Sequence, residues 1–128
     1  MTSTPPANRR AAIAAGALDA GAVLAFAWAG RASHEEAQSL AGLGATAWPF
    51  LTGLGVGWLV TSAWRRPLAP LRTGAVLAVA TVGVGMTLRA VTGQGTAAPF
   101  VVVATVTNLL LLTGWRGLAG LRWRGVHA

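Results

Sequence analysis

The sequence predicts an all-α integral membrane protein: a four-helix bundle with antiparallel neighbours and both termini on the cytoplasmic side. Three observations lead there. Only 10% of the 128 residues are charged, against about 25% in a typical soluble domain, and mean hydropathy is +0.58. Four apolar blocks of about 18 to 20 residues recur along the chain, long enough to cross a hydrocarbon core of ~30 Å at 1.5 Å per residue. The basic residues, all arginine, stand in short clusters between these blocks.

The same figures exclude several classes. The length allows one domain, residues 1–128. A net charge of +7 otherwise suggests nucleic acid, but arginines placed between apolar blocks are how a membrane protein orients itself, so no nucleic-acid partner is expected. The chain has no cysteine, which removes disulfides, Cys-ligated metals and thiol catalysis.

Residues 1–10 form a polar tail ending in Arg9-Arg10. With Ala27-Trp28-Ala29 downstream, that pair also resembles an export signal. The apolar segment is too long for one, Asp19 interrupts it, and further spans follow. Span one is expected over 11–30. It is weak by hydropathy because it is rich in alanine and carries Asp19, whose insertion costs roughly 2.5–3.5 kcal/mol. Residues 31–44 make an outer loop, in which Ser33-His34-Glu35-Glu36 fits a capping box. A short surface helix is expected there, with Gly42 and Gly44 ending it.

Span two is expected over 45–64, span three over 73–91 and span four over 98–115. The basic loop 65–72, stiffened by Pro67 and Pro70, and the short turn 92–97 make these spans antiparallel neighbours. The basic tail 116–128 closes the chain. Eight arginines fall on the side of the two tails and the 65–72 loop, and only Arg31 and Arg89 on the other. The arginine-rich side is cytoplasmic by the positive-inside rule. Trp28, Trp48, Trp64 and Trp115 lie near span ends as interfacial anchors, with Trp58 somewhat deeper.

Asp19 is the first candidate for chemistry. Its helical face carries Ala12, Ala15, Gly16, Ala22, Val23 and Phe26, while Ile13, Leu24 and Trp28 lie opposite. Another helix can therefore approach the carboxylate closely. Such a group serves either proton, cation or ligand handling or hydrogen-bonded helix assembly. Counted from the cytoplasmic ends, Asp19 and Thr81 are ninth in their spans and Asn108 is eighth or ninth. These three are expected to form one intramembrane polar layer. Span two offers only glycines there, with Gly53-x-x-x-Gly57 as a close-packing pattern.

A second constellation lies at the outer surface: Arg31, His34, Glu35, Glu36 and Arg89. It is either an anion site made pH-sensitive by histidine or an ordinary solvated rim of weak salt bridges. It stands about 18 Å from Asp19 along the helix at 1.5 Å per residue. No catalytic residue, metal site or cofactor is expected. His34 and His127 fall on opposite sides, no span holds a histidine for haem, and hydrolase, zinc-protease and nucleotide-loop patterns are missing. Gly93-Gln94-Gly95-Thr96 reads as a tight turn.

Several short motifs keep their order along the chain. They are Asp19 in span one, Gly30-Arg31-x-Ser33-His34, Trp48-Pro49-Phe50 with Gly53 and Gly57-Trp58, and Gly85-Met86-x-Leu88-Arg89. Gly93-x-Gly95-Thr96-Ala97 with Phe100-Val101, and Gly114-Trp115-Arg116, complete the set. In these the chain resembles the small bacterial and archaeal membrane proteins of domain of unknown function 3054. The resemblance implies a four-span membrane protein and no particular activity. It also raises Asp19, Arg31, His34, Arg89 and, at the cytoplasmic end, Arg116 above their neighbours.

The expectation is a multi-pass protein of the plasma membrane, not an enzyme, with the lipid bilayer as its partner. Its polar layer at Asp19 would bind or pass an ion or small solute. Four spans are few for a transporter, so this reading calls for a homo-oligomer such as a dimer. The alternative is a non-transporting scaffold or accessory subunit whose polar residues serve helix assembly.

Overall fold

The computed structural model describes residues 6–33, 39–94 and 98–127. Four helices make up the fold: α1 (Pro6–Ser33), α2 (Leu40–Thr61), α3 (Val76–Val91) and α4 (Ala98–His127). All four are long and apolar enough to cross a membrane when the turn before α3 is included. Among the described residues there is no strand. The chain is an integral membrane four-helix bundle.

Local chemistry sets the helix ends. Ser39 caps α2: its hydroxyl accepts from the Gly42 amide at 3.0 Å. Ser33 is the last residue of α1, and Gly42 and Gly44 lie inside α2. The short surface helix expected in the outer loop falls on residues 34–38, which lie outside the described residues. An oxygen three residues before an orphan amide suffices for a cap, and Ser39 stands in that position as Ser33 stood relative to Glu36. Helix α2 ends at Ser62, which takes a left-handed conformation (φ 52°). A 3-10 turn, Ala63–Arg65, and a π-helical turn, Pro70–Ala75, lead into α3. In the latter the Gly74 amide reaches the Ala69 carbonyl at 3.0 Å, and Pro70 sits where a missing N–H loses nothing.

Contacts run in opposite directions along each neighbouring pair, so the helices pack antiparallel. On α2 and α3, Phe50 lies against Gly85, Gly53 against the backbone of Ala80 and Thr81, and Gly57 against Leu77. On α1 and α2, Phe26 meets Phe50, and Trp58 covers Gly16. Gly74 lets α4 approach at Leu112 and Thr113. Lipid tails are as apolar as leucine, so helices in a membrane associate by close packing and hydrogen bonds, not by apolar burial. Gly53 shows the first: a Cβ there would stand 2.7 Å from the Thr81 carbonyl oxygen.

The chain's three phenylalanines form one cluster. Phe26 meets Phe50 edge-on at 5.2 Å between centroids, and Phe100 completes the triangle at 6.1 Å from each. Phe50 occupies the space left by Gly85. This plug fills the bundle core toward the α1–α2 and α3–α4 connections. The basic end, with the α2–α3 connection and both chain ends, holds the polar core.

Candidate functional site

Helix α1 buries the face that carries Asp19, with Ala15, Val23 and Phe26 inside and Ile13 and Trp28 outside. The carboxylate is held by α4. The Arg116 guanidinium meets it as a fork, Nη1 to Oδ1 and Nη2 to Oδ2, both at 2.7 Å. Two indoles complete the set: Trp58 Nε1 donates to Oδ2 and Trp115 Nε1 to Oδ1, each at 2.9 Å. Both charged side chains are 0% exposed.

An ionised carboxylate offers about four lone-pair positions. Here each oxygen accepts one guanidinium and one indole N–H, so all four are taken. Planar two-point pairing is the strong form of charge-assisted hydrogen bond, and arginine is suited to it by its rigid fork. Arg116 is itself held elsewhere. Its Nε donates to the Pro67 carbonyl at 2.7 Å and Nη1 to the Leu112 carbonyl at 3.0 Å. The guanidinium also lies over the Trp115 ring, 4.5 Å from the centroid. Gly74 makes room for this: a Cβ there would stand 3.2 Å from Arg116 Cδ.

The tryptophans are testable parts. Trp58→Phe keeps the ring and deletes one donor, so it is expected to cost about 1.5–3 kcal/mol, the worth of a hydrogen bond to a charged group. Thermal unfolding in detergent measures this. Trp48→Phe, at an exposed position, serves as the control and should change stability by less than about 0.5 kcal/mol.

The other expected members of the polar layer do not join Asp19. Thr81 and Asn108 are fully buried, but the Thr81 hydroxyl and Asn108 Oδ1 have no hydrogen-bond partner among the described residues. The Asn108 amide turns back to the Ala104 carbonyl at 2.8 Å. Depth along a helix axis does not include the length of an arginine side chain. A helical side chain points toward its own N-terminus, so Arg116 reaches deeper than its α-carbon, to the level of Leu112. It takes the place assigned to Asn108. Trp115, expected as an interfacial anchor, and Trp58, expected somewhat deeper, both direct their N–H groups inward to Asp19. The available signal was charge balance, since Asp19 is the only acid within a span.

At the opposite end, Arg31 donates to the Thr46 hydroxyl at 3.1 Å and lies over Gly42, where a Cβ would touch its guanidinium. Arg89 donates to Gln94 Oε1 at 3.0 Å and covers the Phe100 ring at 4.7 Å. Arg31 thus braces α1 on α2, and Arg89 braces α3 on α4. His34, Glu35 and Glu36, the rest of the expected outer cluster, lie outside the described residues. Among the described residues no group of three or more His, Cys, Asp or Glu side chains could hold a metal ion.

A saturated, charge-neutralised carboxylate has no lone pair left for a base or a cation ligand. What the arrangement does is tie three helices and a loop together through one carboxylate and one guanidinium. No curated protein and no solved structure matches the chain. One family model matches residues 16–119, a span that includes Asp19, Trp58, Trp115 and Arg116, and its description is protein of unknown function (DUF3054). The chain belongs to that family, as a four-helix integral membrane member of it.

Proposed function

We propose that this chain is a non-transporting, non-catalytic membrane scaffold or accessory subunit whose intramembrane ion pair builds and locks its own bundle. The saturation of Asp19 by four donors supports this reading over ion passage. A proton or cation handled by the carboxylate would have to displace at least one of them, at about 1.5–3 kcal/mol for each charged hydrogen bond lost. The phenylalanine cluster adds a second barrier, because it fills the core between Asp19 and the opposite end of the bundle.

Reconstitution tests the reading. Proteoliposomes holding the wild-type chain should pass protons and monovalent cations no faster than empty liposomes under an imposed gradient. Flux that the wild type carries, and that a folded Asp19→Leu/Arg116→Met double variant loses, would establish the conduit instead.

A further inference from the structure

At the basic end, α4 and the α2–α3 connection enclose a groove of about 710 Å³. Leu68, Leu118 and Leu121 form its apolar walls, and Gly114, Gly117 and Gly120 its trough. At each of these three glycines a Cβ would meet nothing within 4 Å, so their bare backbone leaves open space, not a tight helix contact. The groove's shape does not depend on a loose loop. Arg116 Nε holds the Pro67 carbonyl, and the Thr73 hydroxyl holds the Arg66 carbonyl at 2.7 Å. Leu68 is thereby fixed against α4.

The same pinned connection presents Arg65, Arg66 and Arg72 to the surroundings, all exposed. Among the described residues no carboxylate pairs with them. Asp19, the acid among the described residues, is consumed by Arg116. The described residues thus leave these three arginines open to a countercharge from the surroundings. Beside a leucine-lined groove at the end of a membrane-spanning bundle, the group that carries both a negative charge and a long apolar chain is an anionic phospholipid.

We propose that this groove seats an acyl chain of an anionic phospholipid whose phosphate lies against Arg65 and Arg66. Basic residues beside a transmembrane helix attract anionic headgroups; the groove adds a fixed position for one lipid. Glycine in place of larger residues along α4 lets the chain lie against the helix backbone.

The test is native mass spectrometry of the full chain, released from detergent containing equal phosphatidylglycerol and phosphatidylcholine. The wild type is expected to retain phosphatidylglycerol preferentially. Arg65→Gln and Arg66→Gln leave the pinning carbonyls in place, and each should reduce that preference about fivefold. Gly117→Leu fills the trough with a better helix former, so the fold survives and lipid retention should fall to the level of phosphatidylcholine. Equal retention of both lipids by the wild type overturns the proposal. So does undiminished retention in Gly117→Leu, including the case where that variant converts a dimer to a monomer, since the groove would then hold a second copy of the chain.

Discussion

Asp19→Asn is expected to cost about 3–5 kcal/mol, the penalty for leaving one partner of a buried ion pair uncompensated, and to prevent the bundle from holding together in mild detergent. The change is small in volume and large in chemistry. The new amide directs N–H groups at a guanidinium and two indoles that are themselves donors. It also removes the only charge opposing Arg116. Replacing both partners should behave differently. Well-packed apolar substitutes for a buried pair are often neutral or better, so Asp19→Leu/Arg116→Met should unfold closer to the wild type than either single change. Unfolding followed by tryptophan fluorescence against increasing SDS measures all three, with Trp58 and Trp115 reporting from the site itself. A stable Asp19→Asn bundle would refute the assignment of the ion pair as the lock. Arg116→Lys is expected to fail as well, because an ammonium cannot make the two-point fork or reach Pro67 with a separate N–H.

Gly53→Val should have the second largest effect. At the α2–α3 contact a Cβ at Gly53 would stand 2.7 Å from the Thr81 carbonyl oxygen and 2.9 Å from the Ala80 carbonyl oxygen. Both obstacles are backbone, which cannot rotate away. Overpacking of this kind costs about 1–3 kcal/mol, and here it also moves α3, which continues directly from the π-helical turn that carries Thr73 and Gly74 beside the Arg116 side chain and its loop. Gly55→Ala is the matched control on the same helix. Nothing lies within 4 Å of a Cβ there, and alanine favours the helix by up to ~1 kcal/mol. Comparing the two midpoints in the same detergent separates loss of contact from any general effect of removing glycine. Equal midpoints would mean that α2 and α3 do not pack as described.

Much of this arrangement is legible in the chain. Hydropathy and the spacing of arginines predict four spans, because crossing a hydrocarbon core is a property of each segment by itself. The buried face of α1 follows from helical periodicity, since small residues gather around Asp19 and bulky ones stand opposite. That Asp19 is the polar centre also follows, for a carboxylate in an apolar segment has to find a donor. Which donor it finds is another kind of fact. Thr81 and Asn108 are buried as Asp19 is, yet neither hydrogen-bonds the carboxylate, while the longer arginine side chain does.

The sequence by itself determined the membrane class, the number of spans and the residue around which the core is polar, since each follows from composition and period within a single segment. The tertiary structure decided that Arg116, Trp58 and Trp115 are the partners, that Ser39 caps α2, and that glycines on α4 leave a groove instead of a helix contact. Those outcomes depend on how far a side chain reaches and which way each helix is rotated against the next. No count along one helix contains either quantity; both arise only when the helices meet.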